Sequence, residues 1–254
     1  MQRIAGIILF LVLFIGCKKD VDPKQQTTNS SEFQATNNLN VNITNVVGAM
    51  PLALNTQTYI NANQDTFSVS LFKYYISNIR LFRADGFIFA EPESYRLMKQ
   101  DDTTTCKFTI QNIPLGDYFK MEFIIGVDSL RNCSGAQTGA LDASNDMFWT
   151  WSQGYIFAKM EGMYGTNNTF MQHIGGFTGQ WNAIVKSTPS FGSNLIQITS
   201  DHPSKLYMKA DIQEWFNNPS IIDLPSYSAI SGGKKAHEIA LNYSDMFSVA
   251  AIQN

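Results

Sequence analysis

The stretch FSVSLFKYYISNIRLF, residues 67–82, decides the fold class of this chain. Valine, isoleucine, phenylalanine and tyrosine recur through it with polar residues between them, a composition and spacing typical of β-strands. The dipeptide Asp85-Gly86 and a second apolar run, residues 87–89, follow it and predict a hairpin. The stretch therefore predicts sheet structure early in the folded part of the chain.

The same pattern continues on both sides of this stretch. We predict strands at residues 39–47, 107–110, 118–127, 147–160 and 169–174, and a pair of strands at residues 195–199 and 205–210. Two short helical segments are predicted, residues 211–216 with Asp211 as N-cap and residues 234–247. The pattern indicates one all-β domain, an antiparallel β-sandwich or barrel-like fold with long loops and one or two short helices.

Composition narrows the functional classes. The chain has 254 residues, of which 44% are hydrophobic and 15% charged, and its net charge is −3. Phosphate recognition needs a concentrated positive face, and no basic cluster larger than a Lys-Lys pair occurs. Nucleic acid is therefore not a predicted partner. The sequence also lacks the common motifs of nucleophilic, zinc-dependent and nucleotide-dependent enzymes, so we predict a binding protein and not an enzyme.

The N-terminus has the features of an export signal. Residues 1–16 form a short apolar run after Arg3, too short to cross a bilayer comfortably. The run ends in Phe-Ile-Gly-Cys, which is similar to the site recognised by bacterial lipoprotein signal peptidase and implies lipid on Cys17. An ordinary signal peptide or an uncleaved anchor is the alternative. We predict a signal peptide at 1–16, a flexible tether at 17–38, and a folded domain at 39–254. The predicted location is the Gram-negative outer membrane, on its periplasmic or surface face.

Two cysteines remain once Cys17 carries lipid. An oxidising compartment and two thiols favour a disulfide between Cys106 and Cys133. Two unpaired cysteines are the alternative.

Residues 128–146 form a long polar segment that contains Asp128, Asp142 and Asp146. Calcium takes several oxygen ligands from such loops, so these aspartates are calcium candidates. Since the spacing is not that of an EF-hand, a solvated acidic loop is the competing interpretation.

Several segments together resemble one known family. They are FKYYISNIRL (72–81), GVDS (126–129), GAQTGALD (135–142), MFWTWSQGYIF (147–157), HIGG (173–176) and NYSDMF (242–247). In their order and spacing they are similar to the MbnP family, which is related to the copper-repressible surface proteins of methane oxidisers. The resemblance covers roughly residues 39–254.

The resemblance implies a β-rich fold and a copper site that holds Cu(I) beside histidine ligands. It implies that one tryptophan, Trp149 or Trp151, is oxidised to kynurenine by a dihaem peroxidase-like maturation enzyme. It also implies that His173 is a copper ligand. A hydrogen-bonded, partly buried structural histidine is the alternative for His173, and core packing is the alternative for the tryptophans.

The sequence departs from the family pattern where further histidines are expected. Asn45 stands at one such position and residues 251–253 at another, and the chain has three histidines, His173, His202 and His237. Copper sites need two or more imidazole or thioether donors. Two functions follow: a cell-envelope lipoprotein that binds copper for acquisition or handling, or a family member that has lost copper and binds a protein partner, a glycan or calcium.

Overall fold

The structure is a computed structural model that describes residues 34–135, 137–149 and 154–254. The predicted signal peptide, the predicted lipid-attachment residue Cys17, most of the predicted tether and Trp151 lie outside the described residues. The chain from Gln34 to Asn254 forms one compact unit. In the described part of the chain, no helix is long and apolar enough to cross a membrane.

Strands dominate the described residues. In chain order they are β1 (Thr36–Val47), β2 (Met50–Pro51), β3 (Tyr59–Ile60), β4 (Thr66–Arg83), β5 (Ile88–Ala90), β6 (Tyr95–Lys99), β7 (Lys107–Pro114), β8 (Gly116–Ile125), β9 (Phe148–Trp149), β10 (Gly154–Tyr164), β11 (Asn168–Gly175), β12 (Val185–Ser187), β13 (Ile196–Ile198), β14 (Ser204–Asp211), β15 (Ala229–Ile230) and β16 (Phe247–Gln253). The α-helices are α1 (Ser129–Cys133) and α2 (Gly233–Tyr243), and short 3₁₀ turns lie at Thr103–Cys106, Gly139–Leu141, Ala143–Asn145 and Ile212–Phe216. The predicted all-β class is confirmed.

The larger sheet is organised around β4, the strand that the opening stretch of sequence predicts. β4 pairs antiparallel with β8 and β10, and the short strands β3, β5 and β6 also pair with it. β10 and β11 form an antiparallel hairpin, and β15 adds to β11 in parallel. Strands β12 and β13 extend the sheet beyond β8, and β9 pairs with β10.

The smaller sheet has β1 near its centre. β14 lies beside β1 in parallel, and β16 pairs antiparallel with β14. β7 and β2 pair antiparallel with successive parts of β1. The parallel pairs β1–β14 and β11–β15 make both sheets mixed, which departs from a wholly antiparallel arrangement. Parallel partners are joined by long crossovers and leave no local turn signal in the sequence.

Aromatic side chains join the two sheets. Phe247 of β16 packs its ring 4.9 Å from that of Phe123 on β8 and 5.8 Å from that of Tyr74 on β4, both in edge-to-face contact. Such ring pairs stabilise the fold by more than the apolar area that they bury would contribute. The described core runs from Leu39 to Phe247, so the folded unit carries its own hydrophobic centre.

The segment 128–146 covers the outer side of β4 and is not an open acidic loop. It contains α1 and two 3₁₀ turns. Consecutive residues of a strand face opposite sides, yet Tyr74 and Tyr75 are both fully buried. The Tyr75 hydroxyl donates to the Ala140 carbonyl at 2.9 Å. The segment therefore closes a second apolar layer over the sheet.

Both described cysteines are free, so the predicted Cys106–Cys133 disulfide is wrong. Cys106 is buried at the end of a 3₁₀ turn, with its Sγ 3.9 Å from the Lys99 carbonyl oxygen. Cys133 is exposed at the end of α1. A bridge needs Cα atoms within about 7 Å and converging Cβ atoms, whereas these thiols belong to separate elements, one inside the protein and one facing solvent.

Three local predictions are refined by the structure. β13 pairs with β8, not with β14, so residues 195–199 and 205–210 are not partners. The Asp211 carboxylate accepts from the Gln213 backbone N–H at 3.0 Å, which confirms it as an N-cap. The C-terminal helix ends at Tyr243, and the apolar residues after it begin the edge strand β16.

Candidate metal site around His173

The β10–β11 hairpin places His173 among charged residues on one face of the larger sheet. His173 pairs across the hairpin with Lys159, and the next pair on this face is Glu161 with Met171. The His173 side chain is about one-fifth exposed, at 21%, and its Nε2 lies 2.8 Å from Glu161 Oε1. The ring is therefore held diagonally across the two strands with one edge open to solvent.

The contact with Glu161 fixes the tautomer of His173. An ionised carboxylate can only accept a hydrogen bond, so Nε2 carries the proton and Nδ1 keeps its lone pair. Burial lowers the pKa of His173, the nearby Lys159 cation lowers it further, and the bond to Glu161 opposes both. The neutral ring, which is the form that binds metal ions, therefore persists to more acidic pH than in an exposed histidine.

Lys159 is a buried cation at the centre of this face. It is 3% exposed, and its Nζ lies 2.5 Å from Asp146 Oδ2 and 3.7 Å from Glu161 Oε1. A buried charge is tolerated only when paired. The hydrogen bond from Lys159 lowers the pKa of Asp146, so this predicted calcium ligand serves as the counter-ion of a lysine.

Trp149 packs against Gly175, close in the chain to His173. Gly175 follows His173 by two residues, so its missing side chain would point to the same face. A Cβ built on Gly175 would lie 2.6 Å from Trp149 Cζ3 and 3.0 Å from Trp149 Cη2. The indole thus occupies the space that any side chain at position 175 would fill. The structure places Trp149 against Gly175, two residues after His173 on the same strand, and Trp151 lies outside the described residues.

Glu161 and Met171 are the residues of this site that the sequence analysis did not identify. Met171 is 52% exposed and, two residues before His173 on β11, stands on the same face. A turn placed at residues 165–167 would have predicted this pairing from the sequence, because it sets residue 159 opposite 173 and residue 161 opposite 171. Two other methionines, Met147 and Met160, are unsuitable as ligands because they are fully buried in the core, whereas Met163 is 42% exposed but pairs with Thr169, farther along the hairpin from His173.

The other two histidines are placed separately. His202 lies in an exposed bend before β14. His237 lies on α2, where its Nδ1 donates to the Asn182 carbonyl at 2.7 Å and its ring is 5.8 Å from that of Trp181. No hydrogen bond or ring contact joins His173 to either of them in the described structure.

The two positions where the resemblance expects histidines lie in the smaller sheet. Asn45 donates to Gln100 Oε1 and accepts from the Tyr74 hydroxyl, both at 2.9 Å. Residues 251–253 belong to the edge strand β16 and pair with β14. His173 is on the larger sheet, so neither position completes a site with it through sheet pairing.

The remaining calcium candidates act as helix caps. The Asp128 carboxylate accepts from the backbone N–H groups of Leu130 and Arg131 at the start of α1, and from the side chains of Asn78 and Tyr95. The Asp142 carboxylate accepts from the Ser144 backbone N–H at 2.8 Å. Among the described residues, no group of three or more histidine, cysteine, aspartate or glutamate side chains is arranged to hold a metal ion.

The donors that remain available define what the site can bind. They are one oriented imidazole lone pair at His173 and one exposed thioether at Met171, while the nearby carboxylates of Glu161 and Asp146 bind His173 and Lys159. Hard ions such as calcium require six or more oxygens, and this face does not supply them. Soft thioether and imidazole donors suit Cu(I). The residues present therefore fit a soft ion of low coordination number.

These features define a two-sheet β protein with a carboxylate-oriented histidine beside a tryptophan. A profile of the MbnP family matches residues 36–231, which is most of the chain, and the chain belongs to the MbnP family. The solved structure of MbnP from Methylosinus trichosporium is similar, with a TM-score of 0.50 and 12% sequence identity, covering 79% of this chain and 82% of that one. At this identity the likeness concerns the fold alone. No curated protein matches the sequence significantly.

Proposed function

We propose that this MbnP-family protein is a cell-envelope lipoprotein that binds copper as Cu(I) for acquisition or handling, with His173 as its imidazole ligand. The bond from His173 Nε2 to Glu161 at 2.8 Å is the observation that carries this proposal. Metal-binding histidines usually donate their other ring N–H to a carboxylate or carbonyl, which fixes the ring and strengthens the donor. His173 has this second partner in place.

The surroundings of His173 support a soft ion. The lowered pKa of His173 keeps the ring neutral in mildly acidic surroundings. Met171 provides a thioether on the same face, and thioethers favour Cu(I) over harder ions. Copper, when bound, would supply a redox-active soft cation, and Glu161 would orient the imidazole ring that binds it.

Trp149 is the proposed position of the kynurenine modification. Its six-membered ring lies against Gly175, on the face that His173 occupies. Oxidation to kynurenine by a dihaem peroxidase-like partner would place a carbonyl and an aryl amine next to the imidazole. Trp151 remains the alternative. Mass spectrometry of peptides covering residues 147–159 from native protein distinguishes the two.

Copper retention tests the proposal. The mature chain from Cys17, made as Cys17→Ser to omit lipid, retains every residue of the described core and is equilibrated with Cu(I) and then desalted. We expect near-stoichiometric copper in the parent, its loss in His173→Ala, and its retention in His202→Ala, which changes an exposed loop histidine. If the parent keeps no copper even after production with its dihaem partner, the copper function is refuted.

The second candidate is a family member that has lost copper and binds a glycan. It is favoured by a groove of about 330 Å³ across β7, β1 and β14, whose lining combines amide, hydroxyl, ammonium and phenol groups: Asn40, Asn42, Lys107, Thr109, Lys205 and Tyr207. Amides and an aromatic ring are suited to polar, partly apolar ligands. A glycan array probed with the parent and with Tyr207→Ala tests this. Binding that does not depend on Tyr207 would exclude the groove.

A further inference from the structure

An exposed aromatic surface lies at one end of the larger sheet, away from His173. We define the hairpin patch as Phe82, Phe87, Ile88 and Phe119. Phe87, Ile88 and Phe119 are 36%, 41% and 47% exposed, and Phe82, Ile88 and Phe119 line a shallow depression of about 570 Å³ between the β4–β5 hairpin and β8. Exposed contiguous apolar surface of this kind marks an interaction site.

Basic side chains surround the hairpin patch. Lys120 Nζ lies 4.4 Å from the centre of the Phe82 ring and the Arg80 guanidinium 5.2 Å from it, while the Arg83 guanidinium lies 5.3 Å from the Phe87 ring. Lys186 adds a fourth cation, bonded with Arg80 and Lys120 to Glu122.

The local charge is therefore positive. Four cations, Arg80, Arg83, Lys120 and Lys186, face two carboxylates, Glu122 and Asp85, which leaves a surplus of two positive charges in a chain whose net charge is −3. A surface with aromatic rings at its centre and basic groups around them complements an anionic phospholipid surface, where rings insert at headgroup depth and basic groups meet phosphate.

The chain enters the folded unit next to this patch. The Ala35 carbonyl accepts from the Leu115 backbone N–H at 3.1 Å, and the Leu115 carbonyl accepts from Arg83 Nη1 at 3.2 Å. Two hydrogen bonds thus connect residue 35 with Arg83, one of the basic residues around the patch. Residues 18–34 separate this point from Cys17 in the sequence.

We infer that the hairpin patch docks on the anionic phospholipid bilayer that holds the lipid of Cys17. The inference rests on the proposed lipid attachment, which places the domain next to this bilayer. The binding itself comes from insertion of the aromatic rings and from the basic groups around them. In this orientation the β4–β5 hairpin faces the lipid headgroups, and the chain enters the folded domain on the side that faces the membrane.

Vesicle sedimentation tests the inference. The probe is the mature chain with Cys17→Ser, mixed with vesicles of phosphatidylcholine alone or with phosphatidylglycerol added. We expect binding only to the anionic vesicles, weakened by salt, and reduced about tenfold or more in Phe119→Ser, since burial of a phenylalanine contributes that much. Leu130→Ser is the matched control, because Leu130 is 76% exposed on α1 and should bind like the parent.

Three results would overturn the inference: no binding of the parent to anionic vesicles, equal binding by Phe119→Ser, or a parent dimer in size-exclusion chromatography that Phe119→Ser abolishes, which would assign the patch to a second copy. Unchanged thermal unfolding of Phe119→Ser excludes misfolding, and Ile88→Ser, at a second exposed residue that lines the depression, provides a second variant. Fractionation of cells expressing Cys17→Ser examines the lipid anchor separately, so failure of the patch and failure of the anchor are distinguishable.

Discussion

Replacement of Gly175 by alanine tests the arrangement of Trp149 beside His173. The added Cβ would lie 2.6 Å from Trp149 Cζ3 and 2.7 Å from the Tyr155 carbonyl oxygen, roughly 1 Å closer than favourable contacts of about 3.5 Å. The carbonyl belongs to the backbone of β10 and cannot rotate away as a side chain can. Overpacking costs about 1–3 kcal/mol, and the lost freedom of glycine offsets only about 0.5–1 kcal/mol of this. We expect Gly175→Ala to lower the free energy of unfolding by about 1–2 kcal/mol.

Gly154→Ala is the matched control for this prediction. Gly154 is also on this hairpin, and its nearest neighbour would be Phe177 Cε1 at 3.4 Å, an ordinary contact. Its stability should stay unchanged or rise by up to about 1 kcal/mol. Urea unfolding followed by tryptophan fluorescence measures both variants. If Gly175→Ala is as stable as Gly154→Ala, then Trp149 does not occupy the position described and the reasoning is refuted.

Further predictions concern the charges around the site and one buried amide. Glu161→Ala should weaken Cu(I) binding about 10–100-fold in a competition titration, whereas Glu161→Gln still accepts the bond from His173 and should stay near the parent; equal losses would contradict the orienting role. Lys159→Met should raise the pKa of His173, because it removes a cation that lowers this pKa together with burial. An NMR titration of the His173 ring protons measures it, and an unchanged or lower pKa in the variant would contradict the prediction. Because the folded chain holds His173 less protonated than the unfolded chain does, the free energy of unfolding should fall as the pH drops below about 6.5, less steeply in Lys159→Met than in the parent. Asn132→Ala should lower the free energy of unfolding by about 1–3 kcal/mol, because Asn132 is buried and its Oδ1 accepts from the Tyr155 backbone N–H at 2.9 Å; a loss below about 0.5 kcal/mol in urea would contradict this.

Local signals in the sequence predicted the fold class well. The alternation in residues 67–82 marks β4, although the structure makes it one strand of Thr66–Arg83. β1 begins at Thr36, within the predicted tether, because Asn37 gains a partner in Ile113 of β7. Such gains depend on residues distant in the chain and leave no local pattern.

His173 and Trp149 were predicted as site residues through the family resemblance, and that role stays a prediction. The contact of His173 with Glu161 and its pairing with Lys159 depend on which residues face each other across β10 and β11. That register follows from the turn at residues 165–167, a signal the sequence analysis did not use. The disulfide prediction was wrong for a different reason. Two cysteines in an oxidising compartment can form a bridge chemically, but only the folded structure shows whether their Cα atoms are close enough.

NMR observation of the His173 ring is the most direct test of whether His173 binds copper through Nδ1. Protein with ¹⁵N-labelled histidine is titrated with Cu(I), and the ring nitrogens are followed by NMR. We expect the Nδ1 resonance of His173 to shift on copper binding, while Nε2 keeps the proton that it donates to Glu161. An unchanged His173 spectrum, or a shift confined to His202 or His237, would contradict the copper site proposed here.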